Sequence, residues 1–333
     1  MAVVVLEREQ PASGGSGNPV AVVRPEPGGA NNPIAEFSAA GVRWLQHWLG
    51  RHGASVPYGF CGAFRMTRDQ QRHDKLLAYA ATRPSDEITE FSAAAAARLC
   101  GYVPAGPGFF LPHSGWLDPV ALVRAFLDHP LIHLRTHAEV THLDQRADGS
   151  WQVTLSDDEP VQADRLVMAT AYATGLSPVP LAVDRARGQL SVVTERSDHA
   201  IDVIVCRDGY ITPAINGLHT IGATIQYDDE DPTPRERDDL ENFQRLQRLL
   251  PGFVNDPGFV RSGRVAWRAT TQDRLPLVGK IADGLYASIG HGSRGIACAP
   301  LCAELLVAEI SDEPLPMART WLKRLDPLRF KTR

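Results

Sequence analysis

Residues Ala2-Val3-Val4-Val5-Leu6 form an unbroken apolar, mostly β-branched run that stops at the acid Glu7. Such a run does not alternate between a wet and a dry face. It therefore predicts a fully buried strand of a parallel sheet, with the Glu7 carboxylate at its C-terminal end. Asp164 to Thr170 is a second buried apolar strand, ending in small residues. After Pro178 and Pro180 the pattern changes. Gln189 to Thr194, Ala200 to Cys206, Tyr210 to Thr212 and His219 to Gln226 are short strands at close spacing, which predicts an antiparallel sheet. The 333 residues suffice for roughly two domains, the second expected to begin near Arg185.

Helical spacing of Val42, Leu45, Trp48 and Leu49 predicts a packing helix over Ala39 to Arg51, ended by Gly50 and Gly53. Ser92 to Cys100 is alanine-rich and helical, and Asp118-Pro119 supplies a cap and a first-turn proline for a helix reaching about Asp128. Asp238 to Leu250 and Ala299 to Ile310 complete the helices. Leu131 to Leu134, Glu139 to Gln145 and Trp151 to Leu155 read as a meander or hairpin. Two glycine-rich loops, Ser13 to Gly17 and Gly290 to Gly295, would let backbone approach a ligand closely. The second opens a helix whose free N–H groups suit an anionic or electron-rich edge, although such turns are common in any α/β protein.

Composition narrows the class. The 28 Gly and 25 Pro follow no short period, and 44% hydrophobic residues fit a folded globular chain rather than collagen or a disordered polymer. A net charge of −5 argues against coating nucleic acid by bulk charge and leaves room for a local basic patch. The tail offers one, with Arg319, Lys323, Arg324, Arg329, Lys331 and Arg333 against Asp326. Cys61, Cys100, Cys206, Cys298 and Cys302 contain no C-x-x-C, so reduced thiols and no metal site are expected. With no long apolar window and no signal-peptide core, the expectation is a cytoplasmic protein that does not enter a membrane.

The ordered set LERE, GGSGNPVAVVRPEP, PHSGWLDPVALVRAF, ADRLVMATAYAT, ARGQLSVV, GYITPAINGLHTIGAT, VAWRATTQDRLPLVG and GHGSRGIACAPLCAELL, closing on LDPLRF, spans nearly the whole chain. It resembles the FAD-dependent amine oxidoreductases related to D-amino-acid and glycine oxidases. More closely, it is similar to the C-terminal oxidoreductase half of bifunctional tRNA 5-methylaminomethyl-2-thiouridine biosynthesis enzymes. The resemblance implies an α/β fold in which a doubly wound, Rossmann-like FAD-binding domain, 1–184 and 265–333, is interleaved with an antiparallel substrate domain, 185–264.

By the same resemblance, Glu7 would accept from the adenosine ribose hydroxyls and Val140 would meet adenine through its backbone. Gly17, Asn18 and Pro19 would lie along the isoalloxazine, Gly188 and Gln189 at the crossing between domains, and Gly292, Ser293, Arg294 and Gly295 at the flavin pyrimidine edge, with His291 beside flavin or substrate. Arg268 would hold a substrate carboxylate with Tyr210 alongside. The implied reaction is FAD-dependent oxidation of the carboxymethylaminomethyl group of a tRNA wobble 2-thiouridine, giving the aminomethyl base and glyoxylate. A free glycine or sarcosine oxidase and a non-catalytic tRNA-binding remnant are the alternatives. The resemblance also implies a strand, G-x-G-x-x-G and helix ahead of Val3, and a methyltransferase half ahead of that, neither of which this sequence contains. A fragment whose first βα unit is missing is therefore expected, with the Val3 and Asp164 strands left without a common neighbour.

Overall fold

The computed structural model describes residues 2–29, 32–157, 159–195 and 199–330, so Lys331 and Arg333 of the basic tail lie outside the described residues. Its largest feature is a nine-stranded sheet. The long strand Asp184–Thr194 pairs along its whole length with Val260–Thr270, and on its other edge with Leu218–Gly222 and then Gln226–Tyr227. The sheet continues through Tyr210–Ile211, Ile204–Cys206, Ala63–Met66, Gly108–Leu111 and Thr89–Phe91. It is thus wider than residues 185–264, because strands from the 63–111 region extend it. The Gln70–Ala80 helix that covers part of this extension was not evident from periodicity, having only Leu76 buried.

Alternation along these strands gives the sheet two unlike faces. Phe64, Val205, Ile211 and Ile221 point into a core closed by Phe243, Leu246 and Leu249 of the Glu236–Leu249 helix. The opposite face carries Arg65, Cys206, Tyr210 and Leu190, in register across adjacent strands.

The α/β part is built from smaller parallel pieces. Val3–Leu6 pairs in parallel with Ile132–Arg135, and Leu166–Met168 pairs in parallel with Leu285–Ile289, which is joined antiparallel by Leu277–Ala282. Two expectations are corrected here. Residues 131–134 do not join the meander, since only Val140–Gln145 and Trp151–Leu155 form that hairpin, with Val161–Ala163 added. Nor is the first strand fully buried: Val3 is 39% and Val4 44% exposed, because among the described residues Ile132–Arg135 is its one strand partner.

The Pro33–His52 helix begins six residues before the periodic stretch, where Asn32 Oδ1 caps Ile34 N at 3.1 Å and Pro33 fills the first turn. It packs against the Gly295–Ser311 helix over a core of Val42, Leu45, Leu301 and Leu305. Pro300 is the sixth residue of that second helix, where its missing N–H forgoes one i→i−4 hydrogen bond. Among the described residues no helix is long and apolar enough to cross a membrane, and all five cysteines are free thiols.

The two helices touch at Gly41, where a Cβ would sit 3.1 Å from the Ala297 carbonyl carbon and 3.3 Å from Cys298 Cα. A Gly41→Val variant must spread this contact and should lose about 1–3 kcal/mol in chemical denaturation, the usual cost of overpacking. Unchanged stability would show that the helix pair can part without penalty.

Candidate active site

The Asp184–Thr194 strand divides the molecule's chemistry by alternation. Arg187, Gln189 and Ser191 face the Glu236–Leu249 helix, and Gly188 and Leu190 face the other way. On that second side a small cavity is lined by Gly15, Asn18, Gly188, Leu190, Ala266 and Arg268. Three of the expected residues, Asn18, Gly188 and Arg268, come together there from segments far apart in sequence.

Arg268 reaches this cavity because Gly188 has no side chain. A Cβ on Gly188 would stand 2.9 Å from both the Arg268 guanidinium carbon and Thr224 O. The guanidinium donates to Thr224 O at 3.4 Å, and among the described residues no carboxylate pairs with it. Burial lowers its pKa, opposed by nearby Tyr210. Burial likewise raises the Tyr210 phenol, opposed by Arg268, so the hydroxyl stays protonated. Tyr210 lies one strand beyond Gly222 in the row that begins at Leu190.

The loop that brings Asn18 to the cavity is clamped by a residue the sequence did not reveal. Arg264 donates to Ser13 O, to Gly14 O at 2.6 Å and to Asn18 Oδ1 at 3.4 Å. It stands opposite Leu190 on the neighbouring strand. Gly17 is required beneath this clamp, since a Cβ there would collide with the backbone carbonyl of Ala12 as well as crowd the Arg264 guanidinium. Nothing local distinguishes Arg264 from a solvated strand arginine, so only the fold shows its role. Pro19 is exposed at the end of the loop.

The Gly290 to Gly295 turn lies against the Thr270 end of the strand that bears Arg268. Gly290 and Gly292 hold φ of 72° and 59°, conformations natural to glycine. A Cβ on Gly292 would approach Thr270 Oγ1 at 3.8 Å, which sets the turn against the end of the strand bearing Arg268. His291 Nε2 meets Ser288 Oγ at 3.2 Å, while its buried Nδ1 has no partner among the described residues. Burial pushes the imidazole down to about 4, leaving it neutral near pH 7. Ser293 is exposed. The side chain of Arg294 leaves the turn and binds Glu26 Oε2 at 2.6 Å.

At the far end, Glu7 O accepts from Ala138 N at 3.0 Å, and Leu6 and Val140 share one apolar cluster. Glu7 and Val140, expected at a common adenosine, are therefore neighbours. Gln189 requires a correction. Its side chain is fully buried on the helix side, where its amide donates to Arg235 O at 2.9 Å and Asp239 Oδ1 at 2.8 Å and its carbonyl accepts from Arg235 N. Strand alternation leaves only its backbone near the cavity face.

The fold and these sequence features have relatives. A tRNA 5-methylaminomethyl-2-thiouridine biosynthesis bifunctional protein MnmC from Azoarcus sp. (strain BH72) is 34% identical over 354 residues, covering 97% of this chain and 55% of that protein. The protein of the same name from Thiobacillus denitrificans (strain ATCC 25259 / T1) is 34% identical, covering 99% and 56%. The chain thus spans about half the length of the curated relatives it matches. Among solved structures, a glycine oxidase from Geobacillus kaustophilus superposes with a TM-score of 0.83 at 18% identity, covering 99% of this chain and 92% of that one. An iminodiacetate oxidase from Chelativorans sp. BNC1 does so with 0.79 at 20%, covering 98% and 93%. The family described as FAD dependent oxidoreductase matches residues 1–309, and the chain belongs to that family.

Proposed function

We propose that this chain oxidises a secondary amine bearing a carboxylate, and that the amine is the carboxymethylaminomethyl group of a tRNA wobble 2-thiouridine. One observation carries the reading: a recessed guanidinium, Arg268, faces a glycine-floored cavity with no carboxylate of its own. A buried cation so poorly partnered calls for an anionic ligand. The tRNA part rests on the likeness to the MnmC proteins of tRNA 5-methylaminomethyl-2-thiouridine biosynthesis. A methyltransferase partner, fused or separate, is part of the same proposal.

The residues present fit FAD. Gly188 lines the cavity without a side chain, and the buried His291 Nδ1, in the turn against the Arg268 strand, has no partner among the described residues. In this reading Glu7 and Val140 hold the adenosine, while Gly17, Asn18 and Pro19 line the isoalloxazine. Gly188 and the Gln189 backbone mark the crossing, and His291, Gly292, Ser293, Arg294 and Gly295 present the helix start to the pyrimidine edge. Bound FAD supplies a two-electron acceptor, the part of the reaction no side chain can perform.

The chain's own groups do the positioning. A guanidinium fork takes both carboxylate oxygens and fixes the direction of the adjacent Cα–H, and the protonated Tyr210 hydroxyl can donate to the same carboxylate. Loss of hydride from Cα and of the amine proton leaves an imine. Water adds to its carbon, and the C–N bond breaks to give aminomethyl-uridine and glyoxylate. The decisive experiment supplies the FAD-loaded chain with tRNA carrying 5-carboxymethylaminomethyl-2-thiouridine and, separately, with glycine. Glyoxylate from the tRNA supports the reading. Oxidation of glycine alone replaces it with a free amino-acid oxidase, and a chain that binds no flavin is a non-catalytic remnant.

Three further outcomes are expected. Arg268→Ala should raise KM about 10- to 150-fold, the equivalent of one charged hydrogen-bond set worth about 1.5–3 kcal/mol, while retaining the flavin spectrum; an unaltered KM removes Arg268 from the site. Arg264→Ala frees the Ser13 to Asn18 loop and should weaken FAD in an equilibrium titration. The third concerns pH. His291 titrates near 6.5 when unfolded and about 4 when folded, so the unfolded chain binds more protons between those values. The stability that depends on neutral His291 is complete above about pH 6.5 and is lost as pH falls toward 4. Denaturation midpoints of His291→Gln should accordingly fall less steeply across that window.

A further inference from the structure

Glu26, just beyond the glycine-rich loop, is surrounded by three arginines from three parts of the chain. Arg65 Nη1 binds its Oε1 at 2.8 Å, Arg294 Nη2 its Oε2 at 2.6 Å, and Arg24 Nη2 lies 3.4 Å from Oε2. Among the described residues no second carboxylate pairs with any of the three guanidiniums, so two positive charges stay uncompensated. Arg24 makes one other side-chain contact, to Pro25 O at 3.5 Å. Each guanidinium carries more donors than one shared carboxylate can accept from. Their side chains are 20%, 26% and 27% exposed, so the cluster is recessed yet not closed off from solvent. Burial raises the Glu26 carboxyl, yet the three arginines hold it down at about 2, so the carboxylate is charged at all working pH values. Its backbone is fixed too, Glu26 N donating to Ser38 Oγ at 2.9 Å on the Pro33–His52 helix.

The position of this cluster matters as much as its charge. Tyr210, Cys206 and Arg65 are opposite one another on three adjacent strands, so all three project from the face that carries Leu190 and the cavity. Two strand spacings separate Arg65 from Tyr210, about 10 Å. That is roughly the reach from an amine on a pyrimidine ring to the phosphate of the same or the next nucleotide.

Resting on the reading that the substrate is an RNA nucleotide, we infer that Arg24, Arg65 and Arg294 form a phosphate subsite that takes a backbone phosphate of that RNA beside the oxidation site. Glu26 keeps the three guanidiniums converged when no phosphate is present. The two anion sites then divide the work, Arg268 taking the carboxylate at the reacting end and the triad taking the backbone. A free amino acid has nothing to offer the triad, so this subsite distinguishes a nucleotide substrate from glycine.

The test measures binding of an unmodified anticodon stem-loop RNA to the FAD-loaded chain by fluorescence anisotropy at several salt concentrations. Arg65→Gln should weaken binding about tenfold and reduce the salt slope by about 0.7–0.9, the value of one phosphate contact. Arg65→Lys should restore most of the slope, because it keeps the charge. Glu26→Gln removes the competing carboxylate and should tighten binding. The opposite signs at positions 26 and 65 separate a phosphate subsite from a structural clip, for which both variants act alike. Thermal melts of each variant verify folding. If the wild type binds the RNA and both variants leave affinity and slope unchanged, or both weaken it, the subsite is overturned while the RNA reading stands. Absence of RNA binding by the wild type overturns both.

Discussion

Arg187 is wholly buried, and the geometry of the substrate side follows from satisfying it. Its Nε donates to Asp231 O at 2.7 Å, its Nη1 to Gln226 Oε1 at 3.0 Å and Asp238 Oδ2 at 2.6 Å, and its Nη2 to Thr233 O at 2.7 Å. Removing one partner of such a buried pair typically costs about 3–5 kcal/mol, so the 226–238 segment must wrap around this guanidinium. The wrapped segment also carries Asp229 O, which accepts from Trp267 Nε1 at 2.8 Å, and it follows directly on Thr224, whose carbonyl receives Arg268. The fully buried cation thereby helps to place the one that lines the cavity.

Strand alternation makes this economical. Arg187 and Gly188 are consecutive, and the period of two sends the first into the helix-side network and the second to the cavity floor. Slipping the Asp184–Thr194 strand by one residue would bring an arginine into the cavity and a glycine into the network. Four acceptors would lose their cation and Arg268 its space. Register is further held on the helix side by Gln189, Ser191 and Asn242, with Asn242 Nδ2 donating to Gln189 O at 3.0 Å and Ser191 Oγ at 2.9 Å.

How much of this the sequence disclosed depended on the range of the interaction. The Asp118-Pro119 helix start and the Leu166–Met168 strand were legible because cap chemistry and apolar runs act within a few residues. The Pro33 helix start was missed because Asn32 lies beyond the last periodic residue, although the Asn-Pro pair was a usable signal. Ala63–Met66 and Gly108–Leu111 were missed because four-residue strands owe their existence to partners far along the chain. For the candidate site, Gly17, Gly188 and Arg268 came from ordered motifs, whereas Arg264 acts through contacts about 250 residues away in sequence and Glu26 through partners that include Arg65 and Arg294, 39 and 268 residues away. Family motifs also placed Gln189 at the cofactor without resolving that its side chain points the other way.

The basic tail illustrates why charge read along the chain misleads about charge in space. Arg329 is spent on Asp273, donating to both carboxylate oxygens at 2.8 and 2.9 Å, and on Leu275 O and Pro276 O, and Arg324 lies 5.1 Å over the Trp321 ring. These cations secure the C-terminal segment. On the helix side of the sheet, acids absorb the arginines, as Asp229 and Asp231 do Arg235. On the cavity side, Arg24, Arg65, Arg294 and Arg268 share, among the described residues, the one ion-pair partner Glu26. A chain with a net charge of −5 therefore turns a positive field toward its cavity.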